Sequence, residues 1–329
     1  MTIDQSAIVW SIVIVVIAVG ISFYSPNIPQ NSDSIIVTPL VNDNIFFTLQ
    51  GDDSIGSIRG DFFDAGSKMT YVSMSSTGKL ILATSSASDT VFAYDDNGNN
   101  LASIKVGKSP KGVKIHPYEK MAFVANENSG SISVIDTETF QITKEIQIGV
   151  IPHNIVFSPD GNIAYVTLQG EDNIGIIDVN SLKVIDSISV EKFPHNLDIT
   201  PDGRYLFTAN IATNDVAVID LNYNEIIKRI PVSVGHHGID VSPDGQRVYV
   251  SGVGSDVVNV IDVESQELIK TILVGNAPHG LRTSLDSSKL YVGVTGTNEI
   301  VIIDTQSLTI QEKISVGNVP FWITSIGNY

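Results

Sequence analysis

Four histidines stand at positions 153, 195, 237 and 279, 42 residues apart. Imidazole is the commonest metal ligand, so four copies at one repeating position raise a definite chemistry, a ring that holds a metal or another ligand. The column continues at the same interval as Lys111 before it and Phe321 after it, with Trp322 next to Phe321. His236 replaces a proline found at 110, 152, 194, 278 and 320. A second reading competes with the ligand ring. A residue needed by the scaffold is repeated in every copy, and these histidines would then bond polar groups within their own repeat, with Asp172, Asp215, Asp256 and Asn298 as candidate partners. Regularity favours that structural role. A binding site on a pseudo-symmetric ring needs asymmetry, so Lys111, His236, Phe321, Trp322 and the bulky Phe193 are where a ligand is expected if there is one. A metal, if any, falls to His153, His195, His237 and His279.

The elements that must position these residues share the same period. Aspartates at 136, 178, 220, 262 and 304 each close a Val/Ile-Ile-Asp triplet. Within residues 153–194, HNIVFSPDG reads as a short strand and a turn. Proline presets φ, and glycine accepts a left-handed backbone. NIAYVTLQG and IGIIDV are the second and third strands, and LKVIDSISV, alternating apolar and polar, is the fourth. Asp178 and Ser181 sit at the intervening turn, where their side chains reach backbone amides. Four short strands in about 42 residues match one blade of a β-propeller. Six copies have first strands near Tyr71, Val113, Ile155, Leu197, Ile239 and Leu281. The first is irregular: Asp95 lies 41 residues before Asp136, and MSSTG replaces the SPDG turn. NIFFTLQGDDSIGSIRGDFFDAG, at 44–66, has the form of strands two to four, and 321–326 that of a first strand. Together they predict a seventh blade closed by strands from both chain ends, which leaves no open edge. The fold class is therefore all-β, a seven-bladed propeller over 44–329.

The N-terminal segment differs. Ala7–Phe23 carries no charge over 17 residues, about 25 Å as a helix, at the lower end of a bilayer core. Trp10 and Tyr24 sit near its ends, as interfacial aromatics do. No basic residue precedes it, whereas a secretory signal begins with a basic region. Residues 1–24 are predicted to be one transmembrane anchor helix, with a cleaved signal as the alternative. Residues 25–43, rich in proline and polar side chains, read as an extended linker. The propeller is placed outside the cytoplasm, membrane-anchored, or secreted if the segment is cleaved.

With 19 basic and 36 acidic residues the net charge is −17, and no basic run exists for a phosphate backbone. Nucleic acid is excluded as a partner. There is no cysteine, so disulfides, thiolate metal sites, c-type haem attachment and thiol nucleophiles are absent. DDNGNN at 95–100 lacks the ligand order of a calcium loop and reads as a hairpin turn. No G-x-S-x-G, P-loop or HExxH motif occurs.

The repeats resemble the YVTN family of propeller proteins. The resemblance rests on YVTL at 165–168, FTAN at 207–210, VIDT at 134–137, VIDV at 260–263, VGNAPHG at 274–280 and SPDG at 158–161 and 242–245. It implies an exported or surface-associated protein. The broader fold includes nitrous-oxide reductase, whose inward histidines hold copper, the haem d1 domain of nitrite reductase, and sugar-lactone hydrolases. Fold alone carries none of those activities over. The expected function is a non-catalytic extracytoplasmic scaffold, anchored in the membrane by its N-terminal helix. It would bind a protein or cell-surface partner and need no cofactor. The alternatives are a metal- or redox-linked enzyme using a histidine-lined channel mouth, or a propeller-type lyase or lactonase.

Overall fold

The alternation in residues 153–194 becomes four antiparallel strands, Pro152–Phe157, Ile163–Leu168, Asn173–Asp178 and Lys183–Ser189, paired in that order. The computed structural model describes residues 44–118, 120–190 and 192–326. Among these residues the same four-stranded sheet occurs seven times. Numbered along the chain, blades 1 to 6 begin at Met69, Pro110, Pro152, Pro194, His236 and Pro278. Blade 7 is assembled from both ends. Its innermost strand Pro320–Ser325 pairs with Ile45–Leu49, setting Thr324 opposite Phe46 and Ile323 opposite Phe47. Among the described residues there is no helix, and none long and apolar enough to cross a membrane. The anchor over 1–24 and the linker over 25–43 lie outside the described residues.

Burial falls from the axis outward. The first three strands of a blade are covered on both faces by neighbouring blades, while Lys183–Ser189 buries only Ile188. This is why the middle strands read as nearly continuous apolar runs. Phe123, Phe157 and Ile177 are fully enclosed at a blade interface, each contributing about 1.5–3 kcal/mol by burial.

The turn chemistry matches its sequence. Ser158 Oγ accepts from Ile163 N at 3.0 Å, and Gly161 takes φ +74°. Asp178 Oδ1 accepts from Ser181 N at 2.7 Å. Asp95 accepts from Asn97 N and Asn99 N, making DDNGNN a hairpin turn.

One expectation fails here. Asp172, Asp256 and Asn298 do not bond the histidines. They accept from Phe193 N, Ala277 N and Val319 N, at 3.0, 3.1 and 2.9 Å. Those three residues hold φ between 55° and 62°, a region bulky side chains avoid. The side-chain acceptor compensates for the unfavourable backbone. Asn214, not Asp215, occupies the equivalent position, accepting from Gly235 N at 3.4 Å. Asp215 instead accepts from Asn210 Nδ2.

Candidate functional site: the channel mouth and the charged ring beneath it

Each innermost strand carries a bulge at the histidine. In blade 3 Pro152 pairs with Leu168 and Ile155 with Val166, leaving residues 153 and 154 out of the ladder. The same shift recurs in blades 4, 5 and 6. A hydroxyl from the second strand takes up the freed amide and ties it to the next blade. Thr167 Oγ1 accepts from Asn154 N at 3.0 Å and donates to His195 O at 2.9 Å. Thr84, Ser251 and Thr48 make the same latch to Lys111 O, His279 O and Thr70 O. The threonine of the YVTL strand therefore fixes the backbone of the neighbouring histidine.

The bulge turns the histidines into the channel, where they meet one another. Ring centroids of His153 and His195, His195 and His237, and His237 and His279 lie 4.0, 3.9 and 3.8 Å apart, and Phe321 follows His279 at 3.8 Å. Five consecutive blades thus present one packed arc of rings. Beneath it Tyr71 packs against Trp322, with centroids 4.3 Å apart and the rings tilted by 44°. Glycines on the flanking blades make room. A Cβ on Gly280 would lie 2.6 Å from both Phe321 O and Trp322 Cα, and one on Gly112 2.7 Å from His153 O.

Hydrogen bonds assign the protons. Asn196 Nδ2 donates to His237 O at 2.6 Å and to His195 Nδ1 at 2.8 Å, so its Oδ1 is the acceptor for Asn154 Nδ2 and Tyr71 OH. His195 therefore carries its hydrogen on Nε2. The Tyr71 hydroxyl has one hydrogen, directed to Asn196, and so accepts from His153 Nε2 at 2.9 Å. His153 Nδ1 faces Glu127 Oε1 at 3.2 Å. His279 Nδ1 donates to Phe321 O at 3.0 Å. His237 Nδ1 has no partner among the described residues.

Burial sets the electrostatics. It drives His195 and His237 well below the usual imidazole pKa, with neighbouring histidines adding to the shift. His279 falls to about 3, burial again leading and the Phe321 carbonyl opposing. Burial also lowers His153, against the pull of Glu127. Burial raises Glu127, but His153 and Lys111 outweigh it and hold the carboxyl below its usual range, with Lys111 Nζ 3.6 Å away. Tyr71 is raised by burial.

One turn deeper, Ser73, Lys114, Val156, Asp198, Asp240, Arg282 and Thr324 stand at equivalent positions of the seven innermost strands. Arg282 Nη1 reaches Asp240 Oδ1 at 2.6 Å and Asp198 Oδ2 at 3.6 Å. Asp240 Oδ2 also accepts from Thr283 N at 2.7 Å and from the Thr283 hydroxyl. Asp198 accepts from Ile199 N and Val241 N. Burial raises Asp198 to about 6 and lowers Lys114 to about 8. The cavity here measures about 20 Å³, room for about one water molecule. A groove of about 620 Å³ lies between the 1→2 turns of blades 4 and 5. Its aspartates Asp202, Asp244 and Asp262 are bound to their own turns.

Comparison with known proteins agrees with this architecture. A family described as "Lactonase, 7-bladed beta-propeller" matches residues 63–226, and one described as "YNCE-like beta-propeller" matches 195–289. The chain is a YVTN-type seven-bladed propeller repeat protein. No curated protein matches it. Among solved structures, the YVTN-type propeller is similar to hydrazine synthase of Kuenenia stuttgartiensis, with 21% identity and a TM-score of 0.72 over 78% of this chain and 89% of that one. It is similar to the dihydro-heme d1 dehydrogenase NirN in complex with DHE, with 17% identity and a TM-score of 0.66 over 86% and 75%. A functionally unknown protein from Desulfotomaculum acetoxidans DSM 771 has 16% identity and a TM-score of 0.75 over 86% and 98%. At these identities the likeness is one of fold.

In this YVTN-type propeller, Lys111, His153, His195, His237, His279 and Phe321 come together at one mouth of the channel, with Trp322 directly below. His236 does not join them. It is fully buried at the start of its strand, where other blades carry proline, and neither ring nitrogen has a hydrogen-bond partner among the described residues. Of the four column histidines, His153 has both ring nitrogens engaged and His195 and His279 have Nδ1 engaged, and no group of three or more His, Asp or Glu among the described residues is placed to hold one ion. The sequence reading missed Glu127, Asn154, Asn196 and the bonding role of Tyr71. It also missed the ring of Lys114, Asp198, Asp240 and Arg282. The signal for that ring was present, since these charges occupy the position three after the column, in otherwise apolar strands.

Proposed function

We propose that this propeller is a non-catalytic binding scaffold, held at a membrane by its N-terminal segment and displayed outside the cytoplasm, and that a protein or cell-surface partner docks on the face bearing the histidines. The filled channel carries this reading. A substrate needs a pocket of several hundred Å³, and here packed rings close the mouth over a cavity of about 20 Å³. The loops beside the mouth supply the docking surface. Val150, Phe193 and Val234 are 52, 41 and 63% exposed on consecutive blades, and such apolar exposure marks interaction sites.

A photo-crosslinker at Phe193, on whole cells, should join the chain to one partner, and Phe193→Asp should abolish co-purification of that partner. The same crosslinker at Tyr223, exposed on the opposite face, should not. Equal labelling from both faces would sink the docking assignment. Added protease should digest the propeller on intact cells, and protection would overturn its placement.

A second reading, a lactone-hydrolysing enzyme, draws on the Lactonase match over 63–226 and on the charged channel ring. It requires turnover of γ- or δ-lactones that Asp240→Asn abolishes. We expect none, and no stoichiometric copper, zinc or iron in protein purified without chelators. Either finding would displace the scaffold reading.

A further inference from the structure

The buried charges around the axis, two cations and two carboxylates, are unevenly paired. Asp240 is saturated by Arg282 and Thr283, and Asp198 by two backbone amides and the Arg282 guanidinium. Lys114 is not. Its side chain is 8% exposed and lines the channel cavity, yet its ammonium has no hydrogen-bond or ion-pair partner among the described residues. A buried ammonium without an acceptor is strongly unfavourable.

The neighbours of Lys114 show what is missing. Among its charged neighbours Arg282 acts most strongly and opposes its charge, while Asp198 and Asp240 favour it from beyond bonding distance. Between Arg282 and Lys114 in ring order stand Thr324 and Ser73. Thr324 Oγ1 accepts from Met74 N at 3.1 Å, and Ser73 Oγ accepts from Ile115 N at 3.2 Å. Each hydroxyl keeps its own hydrogen, which meets no acceptor among the described residues. Blades 6, 7, 1 and 2 therefore present a continuous arc of donors to one cavity. Asp198 lines the same cavity two blades from Lys114, across Val156, with Asp240 next to it, and both carboxylates are held by the Arg282 guanidinium.

We propose that this arc of Lys114, Ser73, Thr324 and Arg282 is a binding site for one small monoanion of chloride size. An anion between two cations removes their repulsion and satisfies the ammonium and both hydroxyls together. The cavity of about 20 Å³ limits the occupant to about the size of one water molecule, so phosphate and sulfate are excluded by size. The site is independent of the docking face, because it lies below the Tyr71–Trp322 layer.

The test is thermal melting in sodium chloride against sodium gluconate at equal ionic strength. Chloride should give a saturable rise of about 3 °C or more over gluconate, fading above about pH 8 as Lys114 loses its proton. Lys114→Met should remove the chloride difference. If that variant does not fold, Ser73→Ala should decide, raising the chloride midpoint about tenfold through loss of one buried hydrogen bond. Bromide-grown crystals should show an anomalous peak within bonding distance of Lys114 Nζ. Identical melting in the two salts, an undiminished chloride response in the variants, or a water in place of bromide would overturn the site.

Discussion

A chain ending at Val319 is expected to lose cooperative folding altogether. The deletion removes Pro320–Ser325, the innermost strand of blade 7, and with it buried Trp322 and Ile323. At about 1.5–3 kcal/mol for each large buried side chain and about 1 kcal/mol for each lost hydrogen bond, the direct loss is of the order of a whole domain stability, about 5–15 kcal/mol. The secondary losses lie at the site. Tyr71 loses its packing partner, and Thr48 Oγ1 loses the Trp322 amide it accepts. The strand Ile45–Leu49 becomes an open apolar edge, prone to pair with other chains. Circular dichroism on heating should show no sharp transition, and the sample should aggregate. A two-state melt within a few degrees of the full chain would contradict ring closure as the source of stability.

Mild acid is expected to destabilise the propeller in a window set by the channel histidines. His195, His237 and His279 are held neutral by burial, the last with a pKa of about 3, while in the unfolded chain they titrate near 6.5. Their pKa values are depressed on folding. The stability they contribute is therefore complete above about pH 6.5 and is lost as pH falls toward their folded values. All three act in the same sense, so the loss grows as pH falls from about 6.5 toward 5. Asp198 works in the opposite sense. Its raised pKa of about 6 means stability is regained as pH falls through that value, offsetting about 1 kcal/mol. The turn aspartates Asp178 and Asp304 lie below the usual range, bound to Ser181 and Ser307, and respond only at lower pH. Urea melts at about pH 7.5 and 5 should show a fall in midpoint, and His195→Phe should make that fall smaller. An unchanged midpoint would contradict the neutral, packed arc.

Much of this architecture was legible because the repeat is strict. The 42-residue spacing of His153 to His279 and of Asp136 to Asp304 located every blade, and the unmatched ends revealed the closing blade. The turn residues acted locally, as Ser158 and Asp178 illustrate, so they could be read from short strings. The histidines were harder. Their direction depends on the bulge at 153–154, a ladder irregularity that strand alternation hides, and on hydroxyls such as Thr167 two strands' length away in sequence. Asp172 looked like a histidine partner because both recur. The structure shows it supporting the left-handed backbone at Phe193 instead. Long-range partners such as Tyr71 and Asn196 lie 125 residues apart and meet only because the ring closes. The charged ring of Lys114, Asp198, Asp240 and Arg282 was hidden differently. Each charge stood alone in an apolar strand, and only their shared position in the repeat unites them.

The central claim is that the histidine arc is a packed, proton-assigned plug rather than an open ligand ring. The most direct measurement is 15N NMR of histidine-labelled protein, titrated from about pH 8 to 5. The account predicts His195 as the Nε2–H tautomer and His279 as the Nδ1–H tautomer, both unchanged across the range. His153 is set apart by the Glu127 carboxylate beside its Nδ1. Imidazoles that titrate together near 6.5, or lose their tautomer signatures on adding one equivalent of zinc, would contradict it.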